Sequence, residues 1–160
     1  MTSPFDGLQV PPELVCEFFA VFSRFEYTLK ASGFVEKGPK GRARPNWKEY
    51  AQYVAAHIST DNNAELGQAI RELIDNPPQV QIAQGKTAVW QPAPLCGQTE
   101  IECALEAIQR VRNNLFHGGK HTSHSPAGRD EKLLRAALMV LNSCLSTDDG
   151  FRAIYEQAGL

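Results

Sequence analysis

Long apolar runs are missing from this sequence. The longest uninterrupted one, Ala136 to Leu141, falls far short of the roughly 20 residues that span a bilayer. The opening MTSPFDGLQV has no basic start followed by an apolar stretch, so neither signal peptide nor anchor is expected there, and a cytoplasmic protein is. Cysteine is sparse: Cys16, Cys96, Cys103 and Cys144 show no close pairing, and three of them fall in helical, largely apolar stretches. Reduced thiols are therefore expected rather than a disulfide framework. A strong excess of either charge is also lacking, and a net charge of −2 does not by itself point to nucleic acid. A glycine-rich phosphate loop after a strand and a Gly-x-Ser-x-Gly elbow are both absent, which removes support for nucleotide hydrolase and α/β-hydrolase chemistry.

What is present suits one globular unit. Hydrophobic residues make up 42% and charged residues 21% of the 160, proportions ordinary for a globular protein that argue against disorder. A chain of this length buries about 68–70% of its extended surface and holds a core without staples. A single domain over residues 1–160 is expected.

Hydrophobic periodicity divides that domain into helices. Pro11-Pro12-Glu13 suits a helix start, since proline is tolerated in the first turn and an acid there favours the dipole. Leu14, Phe18, Val21, Phe22, Phe25 and Leu29 then mark a buried face up to about Ala31, and Gly33 ends the element. Residues 34–46, FVEKGPKGRARPN, are rich in glycine, proline and cations and read as an exposed loop. Helices are predicted over roughly 46–59 and 62–75, with Asp61-Asn62-Asn63 as the break and cap between them. Between Pro77 and Pro94 the period changes: Val80-Gln81-Ile82 and Ala88-Val89-Trp90 flank Gln84-Gly85-Lys86, which suits a small hairpin. The flanking prolines leave an irregular crossover as the alternative. A helix closed by Leu-Phe-His-Gly-Gly, a loop over 118–128, and helices over about 129–146 and 149–158 complete the chain. The fold class is thus all-α, an up-and-down bundle of about five or six helices with room for one small β-hairpin insertion.

The stretch Thr99 to Lys120, TEIECALEAIQRVRNNLFHGGK, speaks about function. Ile101, Ala104, Leu105, Ile108, Val111 and Leu115 form its apolar stripe, and Arg112 lies inside that stripe, four residues after Ile108 and three before Leu115. Asn113 and Asn114 follow, both poor helix formers, then His117 and a Gly-Gly stop. Glu26 interrupts the first helix in the same way, four after Phe22 and three before Leu29. An unpaired buried charge is costly, so the economical inference is an Arg112–Glu26 pair, whose breaking would cost on the order of 3–5 kcal/mol. Arg24 falls on the other face of the first helix, as a solvated charge or at a dimer seam. Lys30, Lys37, Lys40, Arg42, Arg44 and Lys48 share their segment with Glu36 alone, a basic stretch that suits phosphates and a solvated loop equally.

The run Arg112-Asn113-Asn114-Leu115-Phe116-His117 is an arginine and a histidine separated by four residues, with asparagine after the arginine, at the end of an amphipathic helix. It resembles the signature of the HEPN superfamily of helical-bundle ribonucleases. The tract FSRFEYTLKASGF is similar, more loosely, to the first helix of some uncharacterised bacterial members. The likeness is sharp over residues 105–120, weaker over 18–34 and architectural elsewhere.

This resemblance implies a metal-independent endoribonuclease placed in a toxin or defence system. Two protomers would bring their motifs together in a composite dimer cleft, where an RNA 2′-hydroxyl attacks the adjacent phosphate. His117 would move the proton because histidine titrates near neutrality, Arg112 would meet the charge on the phosphorane, and Asn113 would orient the phosphate or His117. Glu26 would hold Arg112, with Asn114 and Arg24 in support. Lys120, together with Lys40, Arg42 and Arg44, would guide RNA through phosphate contacts. The implied partners are RNA, a second copy of the chain and an antitoxin or other partner protein, without a membrane. In the toxin subfamily modified by a nucleotidyltransferase-like antitoxin, a tyrosine stands two positions after the histidine; here that position is Gly119, so the likeness does not extend to that subfamily.

Other readings of the same residues stay open. Position alone would let His117 simply meet the carbonyls at the helix end. His117, His121 and His124 are close enough in sequence to suggest zinc, yet no carboxylate or Cys-x-x-Cys accompanies them, so neither metal nor cofactor is expected. The rival function is a non-catalytic helical dimer that binds a partner protein or RNA.

Overall fold

The structure is a computed structural model that describes residues 6–116 and 126–158. Among the described residues six helices and two hairpins follow in the order α1 (Pro12–Ala31), β1 (Val35–Lys37), β2 (Ala43–Pro45), α2 (Trp47–Ala55), α3 (Ala64–Asp75), β3 (Val80–Gln84), β4 (Thr87–Gln91), α4 (Glu100–Phe116), α5 (Arg129–Leu145) and α6 (Asp149–Gln157). The chain is a mostly helical bundle with β insertions, one more hairpin than the sequence suggested. Among the described residues no helix is long and apolar enough to cross a membrane.

Helix α5 is the hub, packing against α1, α3, α4 and α6. Its sequence shows an ordinary amphipathic stripe, but Ala136, Val140 and Cys144 are buried alongside Leu133, Leu134, Ala137, Leu138, Leu141 and Leu145. Contact on several sides widens the buried arc beyond what one neighbour would need. Burial pushes the Cys144 thiol up to about 12, so this cysteine is an inert apolar group. All four cysteines are free thiols.

Helix ends follow local chemistry. Asn63 caps α3 by accepting the Leu66 N–H at 3.0 Å, as the sequence predicts, and Asn46 caps α2 by accepting the Glu49 N–H at 3.1 Å. Asp148 caps α6 through the Phe151 N–H at 2.9 Å and accepts the Tyr53 hydroxyl at 2.7 Å. Those two hydrogen bonds hold its carboxyl below the usual range. At α4, Thr99 and Glu102 form a capping box: Thr99 Oγ1 accepts the Glu102 N–H, while Glu102 Oε2 accepts the Thr99 and Gln98 N–H groups. Gly97 lies so close beneath this turn that a Cβ there would come within 2.5 Å of the Cys103 nitrogen.

The two hairpins have different origins. In β3–β4, Gln84 pairs with Thr87, which leaves Gly85-Lys86 as a two-residue turn with Gly85 at φ 62°, the conformation glycine adopts most readily. The hairpin reading of that stretch therefore stands over the irregular crossover. Residues 34–46, by contrast, are not the expected loop: Val35 pairs with Pro45 and Lys37 with Ala43 around a tight turn at Pro39–Gly41. A tertiary anchor makes the difference, because Phe34 packs edge-on against Tyr50 at 5.2 Å and its carbonyl accepts the Asn46 N–H. No hydrophobic alternation announces this strand pair, since both strands are largely exposed. Helix α2 stops at Ala55, earlier than its apolar residues suggest.

An aromatic cluster joins α1, α2 and α6. Phe25 is fully buried, with the Trp47 ring parallel to it at 5.4 Å, Tyr50 edge-on at 5.4 Å and Phe151 at 5.2 Å. Trp47 also stacks on Phe22 at 5.3 Å.

Candidate functional site

The last turns of α4 face three ways at once, because consecutive helical residues are about 100° apart. Arg112 turns toward α1, with its guanidinium carbon 5.9 Å from the centre of the Phe22 ring. It is half-buried at the margin of the stripe rather than sealed inside it. Its Nη1 donates to Asn113 Oδ1 at 3.2 Å, which joins the two motif residues directly. Asn113 is exposed. Asn114 is buried, and its Nδ2 donates to the Gln79 carbonyl at 2.8 Å, so this asparagine fastens the start of the β3–β4 hairpin to α4.

The Arg112–Glu26 pairing inferred from the stripes requires correction. Glu26 is half-buried, and its Oε1 accepts the Trp47 indole N–H at 3.2 Å; among the described residues no ion pair joins it to Arg112. The reason is steric. Trp47 stacks on both Phe22 and Phe25, four residues and one residue before Glu26 along α1, and that placement brings its N–H to the carboxylate. Glu26 and Arg112 still meet the same Phe22–Trp47 stack. The expected cost changes accordingly: Glu26→Ala loses a hydrogen bond to a half-buried carboxylate and should destabilise by about 1–2 kcal/mol instead of stranding a buried cation. Glu26→Gln should melt close to wild type in a thermal scan, since an amide oxygen also accepts from the indole. A loss of several kcal/mol in either variant would restore the ion-pair reading.

Arg24 is engaged within the chain. Its Nε donates to the Ala158 carbonyl at 2.7 Å and its guanidinium lies 5.4 Å from the Tyr155 ring centre, holding the end of α6 against α1. Lys40, Arg42 and Arg44 are exposed on the β1–β2 hairpin, with Lys40 at φ 56° in its turn. Lys120, like His117, His121 and His124, lies outside the described residues. Among the described residues no three His, Cys, Asp or Glu side chains gather closely enough to hold a metal ion.

Sequence reasoning missed Arg110, Gln81 and Trp90. Arg110 donates from Nη1 to the Ala93 carbonyl at 2.7 Å and from Nη2 to the Pro94 carbonyl at 2.6 Å, and it pairs with Glu106 at 2.7 Å. Glu106 and Arg110 stand four apart, a spacing visible in the sequence, but the proline-rich carbonyls that Arg110 reaches are not. With Asn114 holding Gln79, one turn of α4 grips the β3–β4 segment just before its first strand and just after its second. Between hairpin and helix lies a cleft of about 310 Å³ lined by Val80, Gln81, Trp90, Arg110, Asn113 and Asn114. A second cleft of about 380 Å³, between α2 and the first half of α4, has Glu102 and Glu106 on its wall. Both carboxylates are already engaged there, one in the cap and one with Arg110 and the Cys96 N–H.

The site that the structure assembles is therefore a half-buried cation, a polar pair and an open cleft at one helix end. No family model, curated protein or solved structure matches this chain, so the HEPN likeness rests on the motif residues themselves.

Proposed function

We propose that the chain is a metal-independent endoribonuclease of the HEPN type, acting in a toxin or defence system through a composite cleft made by two copies. One observation carries this reading: Arg112 is steadied by Phe22 and hydrogen-bonded to Asn113, so the first two motif residues act as one unit at the end of α4 that leads to His117. In the reaction, His117 of one copy takes the proton from an RNA 2′-hydroxyl. The 2′-oxygen attacks the adjacent phosphorus, the bond to the 5′-oxygen breaks, and the departing oxygen receives a proton from the second His117. A 2′,3′-cyclic phosphate and a 5′-hydroxyl remain. Arg112 meets the charge that builds on the phosphorane oxygens, and Asn113 orients the group beside it. The exposed cations Lys40, Arg42 and Arg44, with Lys120, guide RNA by its backbone.

Tyr27 of α1, 55% exposed, favours the second reading, a non-catalytic helical dimer that binds a partner protein or RNA, because tyrosine is enriched at interfaces. The two readings separate in one experiment. Purified protein is incubated with total cellular RNA in excess chelator while its mass is followed by light scattering on dilution. The ribonuclease reading expects cyclic-phosphate ends and a dimer; an intact dimer with undegraded RNA in every buffer selects the interaction module.

A further inference from the structure

We infer that the cleft between the β3–β4 hairpin and the end of α4 is a nucleobase subsite. This deepens the ribonuclease reading and rests on it for the identity of the strand that carries the base.

A two-stranded hairpin alone is marginal in water, and this one is fixed from outside. Asn114 holds the Gln79 carbonyl before β3, and Arg110 holds the Ala93 and Pro94 carbonyls after β4. The cleft is thus built from one helical turn and a clamped ribbon, a preformed shape of about 310 Å³. Gln81 and Trp90 are direct partners in the ladder, so their side chains share a face, and both line the cleft opposite Asn113.

Charge decides which ligand suits it. The Arg110 side chain is only 12% exposed, with its donors turned to two carbonyls and its charge met by Glu106. Among the described residues the cleft therefore offers an indole surface and amides without a free cation inside, which fits a neutral planar heterocycle better than a phosphate. Asn113 accepts from Arg112 through Oδ1, which leaves its NH₂ donors for a base edge. Among the described residues no aromatic ring stacks on Trp90 and no hydrogen bond occupies the Gln81 amide. A base seated on Trp90 lies beside Asn113, the cleft residue that Arg112 meets.

The test uses a fluorescein-labelled oligoadenylate, adenosine monophosphate and heparin, a polyanion without bases. Of the two tryptophans, Trp47 is 7% exposed, so ligand-induced quenching reports on Trp90. Adenosine monophosphate and the oligonucleotide should quench emission and heparin should not. Trp90→Ala should weaken oligonucleotide binding by about 5- to 100-fold, the range for losing one base–aromatic stack, while Trp90→Phe keeps most of it. Gln81→Ala, at an exposed strand position, supplies a second variant that does not touch the core and should bind more weakly than wild type. The subsite is overturned if Trp90→Ala and Gln81→Ala both bind as wild type, or if heparin quenches as strongly as nucleotide. Cleavage in chelator with those unchanged affinities would leave the ribonuclease standing without the subsite. Quenching by the mononucleotide in a protein that cleaves nothing would keep the subsite and remove the ribonuclease.

Discussion

If the proposed ribonuclease reading holds, Arg112→Ala and His117→Ala should each bring RNA cleavage in chelator down to near background, while a His121→Ala, His124→Ala double variant should keep most of it. General acid–base transfer contributes about 10²–10⁴-fold, so removing a true proton-moving His117 leaves little, not a modest decline. A fixed cation facing the phosphorane has a comparable effect, since it stabilises charge that exists only in the transition state. Arg112→Lys is the informative companion. It keeps the charge but loses the planar fork that lies over Phe22 and donates to Asn113, and should recover only a small part of the rate. His121 and His124 stand in a Gly- and Ser-rich stretch with no motif around them. Should activity vanish in chelator, return with zinc and depend on His121 and His124, the metal reading would replace this one. Equal rates for His117→Ala and wild type would sink it outright.

The largest effect on stability should come from Phe25→Ala. Phe25 is 0% exposed and touches the rings of Trp47, Tyr50 and Phe151, so its removal opens a void where α1, α2 and α6 meet. Phenylalanine-to-alanine changes in such cores cost about 3–5 kcal/mol, because lost transfer energy and an incompletely collapsed cavity add. For a chain of this size that corresponds to a melting point lower by about 6–20 °C. The damage should reach the site. Trp47 loses one of its two stacking partners, and through Phe22 it supports the surface on which Arg112 rests. Phe25→Leu, which refills part of the volume, should lie between the two in a denaturant titration followed by tryptophan emission. A Phe25→Ala protein that melts within a degree or two of wild type would show that the cluster closes over the gap.

Local features were legible in the residues alone. Helix starts, the asparagine cap at 63, the Gly85-Lys86 turn and the polar break at the end of α4 are each set within about one turn of chain. Propensity, capping and periodicity act at that range, and each needs only its neighbours in sequence. What lay beyond reach was the choice of partner for each polar group. Glu26 meets Trp47 at a separation of 21 residues, Asn114 meets Gln79 at 35, and Arg24 meets Ala158 at 134. A stripe shows that a charge faces inward but not which helix arrives opposite it, so two interrupted stripes suggested an ion pair that a stacked indole had displaced. The β1–β2 hairpin stayed hidden for a related reason, since its anchor is Phe34 against Tyr50 and its strands carry no alternation. The motif from Arg112 onward belongs to the sequence; the clamped hairpin beside it, and the cleft between them, exist only because Arg110 and Asn114 find carbonyls that the fold brings to them.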